Sequence, residues 1–561
     1  MKSNAKTIKL AAFGTIAGVL LALLAVACKN SVSNPPLLIP PEEAETPIPD
    51  DEEAETPIPG DDVTANPNDE VTAAAITFTE QPAQATLVLQ DESAVLSCTA
   101  DGETVTYQWY EATDSAGNSG TPIALATGRT LSTQAFSMPG IRYYYCVASA
   151  GDMSEKSRVA AVACTGLPTL YLDLDRPLAS VTKHDYALGK MRIVQPDGTE
   201  FEYEFTKSGK EGIKGRGNSS WGYDKKGYNI KFTDKLEFFG LPKAKKWCII
   251  ANPRDKTLLR NKFASDVLGN DILGRREDAE WNPHFVSVDV VVNGEYRGNY
   301  IFGEKISLTK GRVDVEDISE VNNLADGGFI LEVDNVYYAS EPYFVSTRGQ
   351  HFVFKDPDDI SDEIKDHIKN IVDAAEASLY GDNFADKTEG YAKYIDVDSF
   401  IDWYIVNELT KNYDAVFKTS VYMYYNPSDG KLHMGPNWDF DISSGNCTLS
   451  SCHVPENWYI KNSVWFERLF MDEAFVVKLQ ERWNTVKGDI FRAVNTDLPA
   501  LADEIRISAG LNFERWNYLG KIIGLDAPGY ENRTTYQSEV DWMIDFLNTR
   551  YNWLDGAING L

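Results

Sequence analysis

Val421-Tyr422-Met423-Tyr424-Tyr425, the turn Ser428-Asp429-Gly430, and Met434-Gly435-Pro436-Asn437-Trp438-Asp439-Phe440-Asp441 are the stretch on which the fold turns. Apolar and aromatic residues bounded by turn formers read as a hairpin. Just upstream, Ser399 to Thr410 has helical periodicity and runs into Lys411-Asn412-Tyr413-Asp414. One carboxylate thus follows a helix and two follow a hairpin. If residues 439–441 are extended, Asp439 and Asp441 fall on one side, and like charges that close call for a shared cation. Capping aspartates beside a turn are the alternative.

Further from this stretch, three segments carry polar groups that a core would not ask for. Lys214-Gly215-Arg216-Gly217-Asn218-Ser219-Ser220-Trp221 interleaves glycines with cations, so backbone amides and a guanidinium can approach an anion; a tight turn with surface charges explains it equally. Trp247 to Asn252 reads as a buried strand ending in polar residues, with a helix opening at Leu258-Leu259-Arg260-Asn261-Lys262 whose cations are expected at the surface. Gly303-Glu304-Lys305 ends a hairpin strand, where Glu304 is either an exposed ion-pair partner or the partner of a phosphate-gripping lysine. Strands are expected at 227–232, at 286–292 before the Asn293-Gly294 turn, and at 300–302. Helices are expected at 258–268, 399–410, 465–486 and 538–551. Strands first and helices later read as α+β over residues 166–561.

The chain has 561 residues, with 84 acidic against 53 basic side chains and a net charge of -31. At roughly 150 residues per domain, several cores are expected. A hydrophobic content of 43% with 12% aromatics excludes a wholly disordered chain. The acidic balance argues against a nucleic-acid partner, which needs a basic face. With 6 histidines and no Cys/His ligand spacing, zinc hydrolase chemistry is not expected.

Residues 1–28 read as a secretory signal: Lys2, Lys6 and Lys9, an apolar run from Leu10, and Leu24-Ala25-Val26-Ala27-Cys28, which resembles a bacterial lipobox. Cys28 is the expected lipidation site, which would place the chain at the bacterial cell envelope, tethered to membrane by acyl chains. Residues 29–74 repeat Glu-Glu-Ala-Glu-Thr-Pro-Ile-Pro from Glu42 and from Glu52, the composition of an extended solvated stalk. In residues 75–165 polar and apolar side chains alternate in short runs, as in Thr104 to Tyr110. There Cys98, Trp109, Tyr144 and Cys146 follow the immunoglobulin pattern of an inter-sheet disulfide with packed tryptophan. This module reads as an all-β sandwich acting as a spacer or weak ligand binder. Cys447 and Cys452 enclose four residues; their pairing and that of Cys164 and Cys248 stay open.

An acid after a helix, followed beyond a hairpin by a second acid, is similar to the catalytic-loop and metal-binding acids of kinases. Lys214 to Trp221 with Lys231, Trp247 to Ala251 with Leu259-Arg260-Asn261-Lys262, Gly298-Asn299-Tyr300 with Glu304, and Ser420 to Tyr424 leading into Gly435 to Asp441 together resemble the CotH (spore coat protein H) family of atypical protein kinases. The resemblance runs in the family's order from about Leu170 to Tyr551. It implies a protein-kinase-like α+β domain with a helical C-terminal part that uses ATP and Mg2+ or Mn2+ to phosphorylate protein serine or threonine. Asp414 would then orient or deprotonate the acceptor. Asp439 and Asp441 would hold the metal, and Lys214, Arg216, Lys231 and Glu304 would form the nucleotide site. Where ordinary kinases carry a metal-binding Asn, position 419 is Thr, so Asp441 or Asn437 would supply that ligand. The rival reading is a non-catalytic adhesin, or a cell-wall or glycan binder, on a kinase-like scaffold. The acceptor protein or surface ligand is not named by the sequence.

Overall fold

The computed structural model describes residues 76–102, 104–358 and 360–561; the signal segment, Cys28 and the acidic stalk lie outside them. Among the described residues no helix is long and apolar enough to cross a membrane.

Residues 76–164 form an all-β module. One sheet orders Ala85–Leu87, Ala160–Cys164, Gly140–Ala150, Thr106–Ala112 and Gly120–Pro122 side by side, and Thr77–Glu80 with Thr99–Asp101 and Val95–Ser97 with Thr130–Ser132 form two further ribbons. Cys98, Trp109 and Cys146 are wholly buried together in its core. Trp109 sits directly across from Cys146, and Cys98 and Cys146 are free thiols within one core.

The chain then builds an eight-stranded sheet in the order Glu200–Phe205, Gly189–Val194, Thr169–Leu174, Phe285–Val292, Glu295–Glu304, Leu241–Ile250, Gly227–Phe238 and Gly212–Arg216. Phe285–Val292 has five valines in eight residues, suiting a central strand buried on both faces. Asn293 and Gly294 both take positive φ, the conformation a tight hairpin turn demands. One face carries a core of Leu170, Ile193, Phe232, Trp247 and Phe302.

A second, antiparallel sheet orders Tyr343–Val345, His351–Asp356, Phe329–Val333, Val421–Asn426 and Lys431–Met434. Around it pack Asp362–Tyr380, Val397–Thr410, Glu473–Arg492 and Tyr536–Asn559. Val397–Thr410 is buried nearly all round, as an apolar helix at the centre of a domain must be. The strands at 421–434 follow two long helices, so strands and helices interleave here rather than separate.

Two helices depart from expectation. The first opens at Arg260 and continues to Ile272 in wide π-type turns. The stretch expected at 465–486 is split into Phe466–Leu469 and Glu473–Arg492, because the Asp472 carboxylate caps a new N-terminus by accepting from the Ala474 N–H.

Helix Arg506–Arg515 joins the β module to the eight-stranded sheet. Its Leu511 packs with Ala161 and Ala163 of the module and with Val291 and Tyr296 of the sheet. Asn299 donates to Ser508 at 2.9 Å, and the Tyr143 hydroxyl donates to Glu514. The module is therefore docked by a buried seam.

Candidate active site

The helix ending at Thr410 sets the first acid. Lys411 closes it at φ 50°, and its ammonium donates to the carbonyls of Val454 (2.7 Å) and Glu456 (2.8 Å). Asn412 then accepts from the Asp414 N–H at 3.3 Å while its amide donates to the Asp439 carbonyl at 3.4 Å. One side chain thus ties the two acid-bearing segments together.

Asp439 has φ 63°, so residues 439–441 are not extended as expected. The turn is held by Phe440, which is buried and whose N–H donates to the Asn261 amide oxygen at 2.7 Å. Trp438 wedges between the two sheets, 6.1 Å from the Phe285 ring and 6.4 Å from Tyr422. The Ser420 hydroxyl donates to the Asp439 carboxylate at 3.2 Å. Arg254 lies 3.5 Å from Asp441.

The acids act on one another. The Asp414 carboxyl is pushed up to about 8, chiefly by burial and then by Asp439 and Asp441, against the pull of Lys418 and Arg254. Burial likewise lifts Asp441 to about 6, although Arg254 and Arg216 draw it down. The Arg254 guanidinium is held charged by Asp441 first, then by Asp439 and Asp414. Asp414, Asp439 and Asp441 therefore share one buried neighbourhood with Arg254.

The nucleotide candidates divide. Cross-strand pairing places Lys214 beside Asn229, and Asn229 beside Cys248 and then Gly303. Lys231 pairs with Lys246. Since cross-strand neighbours share a face, Lys214, Arg216, Lys231, Lys246 and Cys248 occupy one side of the sheet, where Arg216 stacks 5.6 Å from the Trp438 ring. Two lysines directly opposite one another repel, a cost that an anion between them would relieve. Segment 214–221 is not one loop: Gly212–Arg216 is the edge strand, and a short turn follows in which a Cβ at Gly215 would strike the Trp221 ring at 2.3 Å.

Glu304 requires a correction. It pairs across the sheet with Trp247, one residue out of phase with Cys248, and so faces away from Lys214 and Lys231. It is fully buried, accepting from Arg312 at 3.2 Å and lying 3.0 Å from the His284 ring nitrogen. It is neither exposed nor a lysine partner. Asn437 is engaged within the protein, its amide oxygen accepting from Asn407 (2.8 Å) and its amide nitrogen donating to Asn282 (3.0 Å). Arg260, expected at the surface, is 1% exposed and clamps Asp255 and the carbonyls of Ser443 (3.0 Å) and Ser444 (3.3 Å), fixing the loop after Asp441.

Sequence reasoning missed Arg254, Lys418, Asn412 and the pair Glu332–Lys355. Lys355 lies 3.0 Å from Glu332, whose other oxygen accepts from the Ser420 N–H at 3.1 Å. Only the Asn252-Pro253-Arg254 step at the end of a buried strand offered a signal.

For a divalent ion the all-oxygen donors suit a hard cation, and Asp414, raised chiefly by burial and then by Asp439, has acidic neighbours whose charge a cation would offset. Thr419, between Lys418 and Ser420, keeps a buried hydroxyl without a protein partner. Among the described residues, only Glu280, Asp396 and His433 bring three acid or imidazole ligand atoms within 4.8 Å of one another, so the three aspartates are spaced more widely than that. The Glu280 group is occupied internally: the His433 ring bridges Glu280 at 2.8 Å and Asp429 at 3.0 Å.

Comparison with known proteins gives one decisive match: the family model described as CotH kinase protein covers residues 213–554, more than half of the chain. No curated protein matches. Among solved structures, a chain titled for Dscam isoform specificity is 12% identical, covering 29% of this chain and 44% of that one with a TM-score of 0.15. Three N-terminal domains of the bacteriophage RB49 Hoc protein are 13% identical, covering 31% and 60% with a TM-score of 0.13. This chain thus spans less than two thirds of either, and overlaps that slight say nothing about its architecture.

Proposed function

This chain belongs to the CotH kinase family, and from that premise we propose that it transfers the γ-phosphoryl group of ATP to a serine or threonine hydroxyl of a protein, with Mg2+ or Mn2+ held by Asp439 and Asp441. The observation that carries the reading is the gathering of Asp414, Asp439 and Asp441 around Arg254, together with the run of cations Lys214, Arg216 and Lys231 on one face of the larger sheet.

When bound, the cation supplies charge neutralisation for the triphosphate and for the leaving diphosphate. Lys214, Lys231 and Lys246 attract phosphate oxygens, and Arg254 adds a guanidinium beside the acids. Asp414 orients the acceptor hydroxyl and takes its proton as the oxygen bonds to the γ-phosphorus and the bond to ADP breaks. Burial keeps Asp414 protonated at neutral pH until positive charge arrives. Its readiness as a base is thereby linked to loading of the site. Asn412 and Ser420 position the acids without touching the reacting atoms. Export and lipidation at Cys28, with attachment to the bacterial envelope through the acidic stalk, complete the reading.

The test is incorporation of label from γ-labelled ATP by the full chain with Mg2+ or Mn2+, into itself or a serine-rich acceptor. Wild type is compared with Asp414→Asn and Asp439→Asn. Both variants should lose transfer while keeping the fold. Transfer unaffected by either would defeat the assignment, and absence of nucleotide binding in the wild type would favour the adhesin reading.

A further inference from the structure

Cys447 and Cys452 stand on a segment that touches both acid-bearing loops. Both are buried, at 0% and 1% exposure, and pack with Ile442, Tyr413, Tyr459 and Leu525. Both are free thiols lying against one another, each the first group to act on the other. The turn between them has Ser450 at φ 49° and Ser451 at φ 57°, two consecutive left-handed non-glycine residues. Such a pair persists only where the surroundings hold it shut.

The two ends reach different parts of the site. Beside Cys447, the Asn446 amide donates to the carbonyls of Asp441 (2.7 Å) and Arg254 (3.0 Å). Beside Cys452, Tyr459 packs against it and its hydroxyl donates to the carbonyl of Tyr413, one residue before Asp414, at 2.8 Å. The two cysteines thus stand in a second link between the Asp441 and Asp414 segments, beside the one that Asn412 makes.

We propose that Cys447 and Cys452 are a disulfide-forming pair whose closure fixes the relative position of the Asp414 and Asp441 segments, so that thiol–disulfide exchange sets the order of the site. The bond forms by exchange with a disulfide donor. One cysteine thiolate attacks the donor and expels the first thiolate; the second cysteine attacks the mixed disulfide and expels the other. The two cysteine protons pass to the released thiolates, the donor is reduced and the pair is oxidised. Because both sulfurs are buried, exchange proceeds as the chain folds or when the 447–452 turn opens.

The consequence for phosphoryl transfer rests on the function proposed above; the bond and its ordering effect do not. The full chain is equilibrated with oxidised glutathione or with dithiothreitol, alkylated and digested with trypsin. Peptide Leu432–Lys461 holds both residues; it should appear unalkylated and lighter by two hydrogens only after oxidation, and its alkylation after oxidation would overturn the proposal. Amide hydrogen exchange is then followed over residues 411–418 and 439–446. Oxidised protein should exchange roughly tenfold more slowly there than reduced protein. A Cys447→Ser/Cys452→Ser variant kept under oxidising conditions, with Cys98 and Cys146 intact, should match the reduced wild type. Equal exchange in all three samples would refute the positioning role whether or not transfer activity is found.

Discussion

Replacing Asp414 by Asn should stabilise the metal-free protein at pH 8 and do little at pH 5. The folded carboxyl titrates near 8 against an ordinary value of 3.8, so between those limits the native state holds a proton that the unfolded chain has released. Stability contributed by that proton is greatest at low pH and is lost as pH rises toward 8. At about 1.4 kcal/mol per unit, the whole displacement bounds the effect at about 5–6 kcal/mol. Asp441 is raised beside it, and an amide solvates the pocket imperfectly, so about 1–3 kcal/mol is recoverable at one position. In a unit of this size that is on the order of 2–5 °C in Tm. The assay is thermal unfolding with EDTA at pH 5 and pH 8, wild type beside Asp414→Asn. A variant no better off relative to wild type at pH 8 than at pH 5 would refute the idea that burial and acidic neighbours raise Asp414.

Arg254→Ala should weaken Mg-ATP binding by about 1.5–3 kcal/mol, the worth of a charged hydrogen bond, in calorimetric titration, while the Asp441 carboxyl climbs further above its present value near 6. Arg312→Met leaves buried Glu304 with His284 alone beside it and should cost about 3–5 kcal/mol in urea unfolding, much of it restored by adding Glu304→Gln. His433 is held above its ordinary 6.5 by Glu280 in spite of burial. Its contribution is complete below the unfolded pKa and lost as pH rises through the folded one, so denaturant midpoints should fall above neutrality in wild type and lose that slope in Glu280→Gln.

Local pattern carried much of this architecture into the sequence. The Asn293-Gly294 turn, the β-branched run before it and the helix into Asp414 are each written in neighbouring residues. So is the 421–434 hairpin, because alternation and turn chemistry act over a few positions. What escaped depends on register and distance. The strand-end motif Gly303-Glu304-Lys305 cannot reveal which way Glu304 faces, since one residue of phase sends a side chain to the opposite side. The turn at Asp439 follows from Asn261, far away in sequence, gripping the Phe440 amide. Arg254 and Lys418 look like ordinary surface cations until folding delivers the aspartates to them, and Asp472 splits a helix that periodicity alone would run unbroken.

Leu511 stands on two floors at once, with the module's alanines on one side and Val291 and Tyr296 on the other. A deletion made just after Cys164 would leave an oily scar at that seam and sever the Tyr143–Glu514 link. Whatever grips the amino-terminal module therefore holds the kinase-family half through that buried seam, and sets the direction in which it is turned.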